Sequence, residues 1–249
     1  DVSRWTDALQ EAGKDPSVRG LLLTINSPGG VVTGGESLHD AVEAFAQKKP
    51  VAVSMGTLGA SAGYMIAVPA QRIYAQNSTL TGSIGVLMQS PDASGLLGKI
   101  GVTIDELVSG PMKGQPSGVK PLSPEGREML QGIIADMYGQ FVDMVVRGRH
   151  MPEDKVRKLA DGRPYTGHQA LSVGLIDAIG SQQDALVWLK QRAKLPENAS
   201  VEKIGEDPDK YGWALRLLGK PSGLWSSWVP SGLMSMTPYV DGALAIWKS

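Results

Sequence analysis

The chain has 249 residues, of which 42% are hydrophobic, enough for one large domain with a buried core. With 24 basic and 25 acidic residues the formal net charge is -1, so no basic surface for nucleic acid or an anionic membrane is indicated. The absence of cysteine excludes a disulfide framework, a thiolate nucleophile and a Cys-based metal site. No run of 18 apolar residues occurs and the chain opens on DVSRW, which we interpret as a fragment or a mature form.

Short β-rich runs alternate with helical patterns over the first three quarters of the chain, which predicts an α/β protein with parallel strands. The predicted elements are, in order, helix 4–15, strand 20–25, helix 34–47, strand 51–55, helix 61–70 and short strands at 72–75 and 84–88. Ser123 as N-cap, Pro124 and the apolar residues that follow at spacings of three and four predict an amphipathic helix of about six turns.

The last part of the chain differs in composition, which predicts an α/β domain over 1–204 and an extension over 205–249. Glycine and proline are frequent in the extension, and four of the six tryptophans lie there: Trp213, Trp225, Trp228 and Trp247. Two interpretations stay open. The rings pack on the main domain or a neighbouring subunit, or they form a membrane-proximal or partner-binding segment.

A glycine pair follows the first predicted strand, in INSPGG (25–30). Such a pair lets backbone N–H groups face outward, which suits either a phosphate cradle or an oxyanion hole. No Lys-Ser or Lys-Thr of a P-loop follows it, which weakens the phosphate alternative. An ordinary Pro-Gly turn is the third possibility.

Ser61 stands in GASAG (59–63), where the strand after 51 runs into a predicted helix. The pattern matches the G-x-S-x-G form of a nucleophilic serine, although a helix N-cap explains the same serine. A nucleophile needs a base. The histidines are His39, His150 and His168, and we interpret each as a surface or capping residue, so a Ser-His-Asp triad is unsupported.

The other candidate base is a lysine in the loop 109–121, where eight of thirteen residues are Gly, Pro or Ser and where Lys113 and Lys120 lie. Long loops are often functional. A lysine accepts protons near neutral pH only in an apolar setting that disfavours its charged form. A solvated lysine on a flexible loop is the alternative.

Four motifs taken in order resemble the signal peptide peptidase A family (peptidase family S49), serine peptidases with a Ser-Lys dyad. They are INSPGG, SMGTLGASAGYMIA, STLTGSIGVLM and SGPMKG, and the resemblance extends through LADGRPYTGHQALSVGLID to cover roughly residues 4–190. It implies a crotonase-like or Clp-protease-like α/β fold of repeated ββα units. It also implies an endopeptidase that needs no metal or cofactor.

The resemblance gives each matched residue a role. Ser61 is the nucleophile and Lys113, 52 residues later, is the general base. Ser83 in TGSIGV holds the lysine amine, for which a turn serine is the alternative. The N–H groups of Gly30 and Ala62 form the oxyanion hole, with Gly29 as the alternative to Gly30.

The family's assembly and location are expectations of the same kind. The resemblance implies a homo-oligomeric ring with sites shared between subunits, so that Lys113 acts on the Ser61 of a neighbour. It implies a membrane anchor, which this chain lacks, a catalytic domain on the extracytoplasmic side, and cleaved signal peptides or other apolar peptides as substrates.

Three other functions are alternatives. A crotonase-type acyl-CoA enzyme would share the fold but needs neither Ser61 nor Lys113. A Clp-like protease subunit shares NSPGG but needs a catalytic histidine, and neither His150 nor His168 stands in such a motif. A non-catalytic membrane-associated scaffold would use the Trp-rich extension and leaves the matched motifs unexplained.

Overall fold

A computed structural model of the chain describes residues 2–204 in full and residues 240–247 as backbone. Its helices are α1 (Val2–Lys14), α2 (Val32–Ala46), α3 (Ala62–Ala67), α4 (Ser94–Lys99), α5 (Pro124–Arg149), α6 (Glu153–Leu159), α7 (Gly167–Val173) and α8 (Gln182–Arg192). Its strands are β1 (Val18–Ser27), β2 (Val51–Ala60), β3 (Arg72–Ala75), β4 (Leu80–Gly82), β5 (Pro164–Thr166), β6 (Ala178–Ile179), β7 (Val201–Ile204) and β8 (Val240–Trp247). A 3-10 turn spans Pro111–Gly114.

The strands form one curled sheet in which β2 has two partners on the same edge. Its first half pairs in parallel with β3, and its second half pairs in parallel with β4. On its other edge β2 runs parallel to β1, with Leu21 beside Val51. Strand β1 leads into α2, and β2 leads into α3. Because the two strands are parallel neighbours, the turns that follow them lie side by side at the carboxyl end of the sheet.

The core follows the period of two along the buried strands. Leu21, Leu23 and Ile25 of β1 face the larger apolar cluster, which includes residues of α1, α2, α3 and α5. Leu22, between them, faces a smaller cluster with Leu189 of α8. A strand segment that is buried on both faces is expected to be a continuous apolar run, as residues 21–23 of β1 are.

Most predicted elements are confirmed, including the α/β class and helix α5, which begins after its N-cap Ser123. The strand predicted over 84–88 is wrong. Strand β4 ends at Gly82, and both Gly82 (φ 71°) and Ser83 (φ 48°) have left-handed backbone conformations that break the extended chain. Residues 85–88 instead line a cavity.

Strand β8 pairs antiparallel with both β1 and β7, so the end of the predicted extension joins the sheet of the main domain. The rest of the extension, with Trp213, Trp225 and Trp228, lies outside the described residues, and the division at residue 204 stays a prediction. Among the described helices, none combines the length and the apolar character needed to cross a bilayer.

Candidate active site

The turn after β1 presents backbone N–H groups at the edge of the sheet. Gly29 has φ +120°, a conformation that side chains rarely adopt. Its N–H donates to the Ser27 hydroxyl at 3.2 Å. The Gly30 N–H has no acceptor among the described residues. Of the two glycines proposed for an oxyanion hole, Gly30 therefore has the N–H available for a ligand.

Ser61 joins β2 to α3 in a strained conformation, with φ 52° and ψ −122°. A non-glycine residue here costs of order 1–3 kcal/mol and persists only where the surrounding structure imposes it. The surroundings do so, because its N–H donates to the Gly82 carbonyl at 2.8 Å and its carbonyl accepts from Met65 N at 2.9 Å. A sharp, strained strand-to-helix turn is the setting of the nucleophile in the G-x-S-x-G motif.

The simpler explanation of Ser61 as a helix cap is only half met. The residue occupies the N-cap position of α3, but its side chain makes no capping hydrogen bond. The first N–H groups of a helix have no acceptor within the helix. Ala62 is the first residue of α3, so its N–H lies beside the Ser61 hydroxyl with no partner of its own in that turn.

The glycine turn and Ser61 are in direct contact. A Cβ placed on Gly29 would lie 2.7 Å from the Ser61 Cβ and 3.1 Å from its Oγ. The helices that follow the two turns are also close, since a Cβ on Gly35 of α2 would lie 3.1 Å from the Ala62 Cβ of α3. Glycines at these two positions allow α2 and α3, and the turns before them, to approach closely.

Ser83 directly follows β4, just as Ser61 directly follows β2. The last residues of the two strands, Gly82 and Ala60, are paired, so the two serines are neighbours. Its hydroxyl donates to the Gly162 carbonyl at 3.2 Å, and its N–H donates to the Arg163 carbonyl at 3.0 Å. Both serines line one cavity. Ser83 therefore has the turn role that was its alternative, and its position beside Ser61 leaves the proposed lysine-holding role open.

The cavity at Ser61 has a volume of about 690 Å³ and mostly apolar walls. Its lining includes Gly29 and Gly30 and the two serines, Ser61 and Ser83. Its apolar side chains come from the start of α2, from the segment after Ser83 and from α5: Val31, Val32, Val86, Leu87, Met88 and Met137. Such a cleft suits an extended, apolar ligand with a few polar groups to orient it.

Lys113 lies in the 3-10 turn, is exposed, and is not among the residues that line this cavity. Lys120, the other lysine of the loop, forms an ion pair with Glu106 at 3.4 Å. Lys113 has no ion pair within the described part of the chain. One copy of the chain thus brings together Ser61, Ser83, Gly30 and Ala62, but not Lys113.

None of the three histidines lines the cavity. His150 is the C-cap of α5, with φ 52°, and His168 is exposed on α7, as the interpretation of surface or capping residues predicts. That interpretation is wrong for His39, which is only 1% exposed. The reason is the close approach of α2 to α3, which buries His39 against the Met65 carbonyl.

A buried hydrogen bond anchors α3 to the segment after α7, with a buried ion pair nearby. The Tyr64 hydroxyl donates to the Leu175 carbonyl at 2.7 Å, and burial raises the pKa of this phenol. Nearby, the Arg149 guanidinium donates to both carboxylate oxygens of Asp177, at 2.7 and 3.1 Å. Burial opposes the Arg149 charge, but the hydrogen bond and charge of Asp177 raise the pKa of the guanidinium.

Several residues of the site were not predicted from the sequence. The Ser27 hydroxyl, which engages Gly29, is one of them, and its place as the last residue of a buried strand is the signal that could have found it. The sequence pattern places Met137 only on the apolar face of α5, yet Met137 lines the cavity. Periodicity identifies an inward-facing residue but does not distinguish a core from a cleft.

Comparison with known proteins places the chain among peptidases. The model of the family described as "Peptidase family S49" matches residues 43–196, more than half of the chain. A putative protease of Methanocaldococcus jannaschii is 38% identical over 84% of this chain and 67% of its own. A putative signal peptide peptidase SppA of Enterococcus faecium is 38% identical over 87% of this chain and 62% of its own length.

Other relatives are longer. Protease 4 of Salmonella typhi is 38% identical over 76% of this chain, which covers only 31% of that protein. Among solved structures, a mutant of ClpP1 from Listeria monocytogenes matches with a TM-score of 0.51 and 17% identity, over 74% of this chain and 86% of that one. At this identity the match concerns the fold alone.

The fold and the curled sheet define the class as α/β proteins of the Clp-protease-like type, which confirms the predicted fold class. Within that class, the chain belongs to peptidase family S49. The resemblance inferred from the four motifs is thereby confirmed.

Proposed function

We propose that the chain is a serine endopeptidase in which Ser61 is the nucleophile and Lys113 the general base. The observation that carries the proposal is the strained Ser61 at the β2–α3 junction, which contacts the Gly29–Gly30 turn and lines a largely apolar cleft. Membership of a peptidase family supports the same reaction class.

The reaction is acyl transfer in two steps. Lys113, as the neutral amine, takes the proton of the Ser61 hydroxyl while the oxygen attacks a peptide carbonyl. The N–H groups of Gly30 and Ala62 hold the oxyanion. The Lys113 ammonium then gives its proton to the leaving amine as the C–N bond breaks, which leaves an ester on Ser61. Water hydrolyses this ester, with Lys113 again as the base.

Lys113 reaches Ser61 from a neighbouring chain in this proposal. The exposed position of Lys113, outside the cavity of its own chain, supports a site completed by a second copy. The segment before Lys113 carries large exposed apolar side chains, among them Leu87 (80% exposed), Ile100 (64%) and Leu107 (99%). Exposed apolar groups of this extent are typical of an interaction surface. We infer a homo-oligomer that buries them.

The substrates we propose are apolar peptides, and signal peptides left after secretion in particular. The apolar walls of the cleft support the first statement. The second comes from the Enterococcus faecium relative, which is named a putative signal peptide peptidase. A membrane-anchored, extracytoplasmic location is part of the same proposal and comes from the resemblance to the family.

The test compares four single variants on an apolar fluorogenic peptide. Ser61→Ala and Lys113→Ala should each lower kcat/KM by at least about a thousandfold, because loss of one member of a catalytic unit costs nearly as much activity as loss of the whole unit. Ser90→Ala and Lys120→Ala are the matched controls, because Ser90 is exposed and Lys120 lies in the same loop as Lys113. Both controls should keep activity near that of the wild type.

Activity that survives both Ser61→Ala and Lys113→Ala would contradict the assignment. A mixture of the two inactive proteins tests the shared site, because a site that takes Ser61 from the Lys113→Ala chain and Lys113 from the Ser61→Ala chain has both residues intact. Recovered activity supports completion by a neighbour, and an inactive mixture of properly assembled protein contradicts it.

A further inference from the structure

A histidine of α2 is buried with one ring nitrogen unpartnered. His39 is 1% exposed, and its Nδ1 lies 2.9 Å from the Met65 carbonyl oxygen. A carbonyl can only accept, so Nδ1 carries the proton and the neutral ring has its lone pair on Nε2. Nε2 is fully buried and has no hydrogen-bond partner among the described residues. A buried acceptor without a partner is uncommon in folded proteins.

Two carboxylates of the same helix lie beside this histidine. One ring nitrogen of His39 and one carboxylate oxygen from each of Asp40 and Glu43 are all within 4.8 Å of one another. Glu43 follows His39 by four residues, the spacing that places two side chains on one face of a helix. Neither carboxylate forms an ion pair in the described part of the chain. The cluster thus combines two carboxylates with a histidine whose Nε2 lone pair is unused.

We propose that His39, Asp40 and Glu43 bind a divalent cation of the Zn²⁺ type. One imidazole and two carboxylates form a donor set that Zn²⁺ accepts, with water as the fourth ligand. Ligands of a tetrahedral zinc ion stand roughly 3.5 Å apart, so small side-chain rotations would close the present set around one ion. A zinc-bound histidine usually donates its other N–H to a carbonyl or carboxylate, and His39 already donates to Met65.

A cation can reach this cluster from solvent. Asp40 is exposed and Glu43 half-buried, so a hydrated ion can reach the cluster from solvent while His39 completes it from the inside. Two positive groups of α5 share a surface cavity with Glu43: Arg149, which is paired with Asp177, and Arg147. Both oppose a bound cation, but within the described residues neither forms an ion pair with Glu43 that the ion would have to displace.

The site would couple two helices that carry the reaction machinery. Helix α2 begins just after the Gly29–Gly30 turn, and α3 begins just after Ser61. A cation on His39 fixes the ring whose other nitrogen holds the Met65 carbonyl of α3. None of the three ligands lines the cavity at Ser61, so the ion takes no part in peptide cleavage. Its effect is to stabilise the contact between the two helices.

The test measures Zn²⁺ binding by titration calorimetry on the full chain in a buffer that does not chelate metals. Wild-type protein should bind one equivalent saturably. Glu43→Gln and His39→Asn should each weaken this binding at least tenfold. The asparagine amide keeps an N–H near the position of Nδ1 and removes Nε2. Glu128→Gln is the control, because Glu128 is an exposed acidic residue of another helix.

Binding is measured directly, so the result does not depend on the peptidase proposal. No saturable binding to the wild type would overturn the site, as would unchanged affinity in Glu43→Gln. If His39→Asn fails to fold by circular dichroism, the partly exposed Glu43→Gln and Asp40→Asn still decide the question. A loss in both of these with an unchanged control supports the site.

Discussion

Gly29 and Ser61 are packed so closely that a single methyl group on Gly29 would lie 2.7 Å from the Ser61 Cβ. The glycine turn and the serine come from the ends of neighbouring parallel strands, β1 and β2. Their contact brings the Gly29–Gly30 turn to the Ser61–Ala62 junction, where we propose the oxyanion hole. Glycine is required here both for space and for its positive φ.

Gly29→Ala should lower peptidase activity at least tenfold, because the new methyl displaces Ser61 or the turn. The unfavourable φ of +120° should also destabilise the fold by about 1–3 kcal/mol. Gly132→Ala is the control: a Cβ there meets no atom within 4 Å, in the middle of α5. It should leave kcat/KM unchanged and stabilise the protein by about 0.5–1 kcal/mol. A fully active Gly29→Ala would contradict the close contact.

Gly148→Ala tests the packing of α5 on α3. A Cβ on Gly148 would lie 2.5 Å from the Val68 carbonyl oxygen, so α5 would have to move away from the end of α3. We expect a loss of about 1–3 kcal/mol in the free energy of unfolding, as for other overpacked sites. Gly139→Ala, in open space on the same helix, should be stabilising instead. Equal stability of the two variants in urea would contradict this packing.

Asp177→Ala should destabilise the fold by about 3 kcal/mol. The change leaves the Arg149 guanidinium, only 7% exposed, without its ion-pair partner. It also removes the acceptor of the Ile73 N–H at the start of β3. Glu153→Ala breaks the exposed pair with Arg157 and should have a much smaller effect. Denaturant titrations of the two variants give the comparison, and similar losses would contradict the importance of burial.

Tyr64 makes stability depend on pH at the alkaline end. Burial raises the pKa of its phenol, so the folded state holds the proton more tightly than the unfolded state does. The protonated phenol makes its full contribution to the free energy of unfolding below about pH 10, the ordinary pKa of tyrosine. This contribution is lost as pH rises above that value. Tyr64→Phe loses the hydrogen bond to Leu175, which costs about 1–2 kcal/mol at neutral pH.

The difference in stability between wild type and Tyr64→Phe should therefore shrink above pH 10. Thermal unfolding from pH 8 to pH 11 measures it. A difference that stays constant over this range would show that Tyr64 titrates alike in the folded and unfolded states.

Substrate preference should follow the apolar walls of the cleft. Among otherwise identical peptides, one with leucine near the scissile bond should be cleaved faster than one with glutamate. Val32→Glu should narrow or reverse this preference, since Val32 lines the cavity at the first position of α2 and a carboxylate there is compatible with the helix N-terminus. Unchanged selectivity in this variant would show that the side chain beside the scissile bond does not bind in this cleft.

The sequence predicts the central elements well because their signals are local. The apolar run at β1 and the cap at Ser123 each have one simple interpretation, and the ends of parallel strands meet at one edge. The false strand at 84–88 has an apolar pattern too, but two left-handed residues, Gly82 and Ser83, precede it. Backbone conformation at a serine is not visible in an apolar pattern.

Other features depend on contacts distant in sequence. The burial of His39 requires knowing that Gly35 lets α2 approach α3, and the pairing of β8 with β1 joins segments more than 200 residues apart. Ser61 was identified by its neighbours in sequence. The exposed position of Lys113 agrees with the alternative of a solvated loop lysine, but the sequence could not decide between the two settings, because a Gly- and Pro-rich loop has no periodic pattern that reports its surroundings.

The distance from Ser61 Oγ to the nearest Lys113 Nζ in an experimentally determined structure of the assembled protein tests the catalytic assignment most directly. We predict about 3 Å, the reach of a general base, with the lysine supplied by a neighbouring chain. An assembly in which every Lys113 stays remote from Ser61, with another side chain in hydrogen-bond contact with its hydroxyl, would contradict the Ser-Lys mechanism.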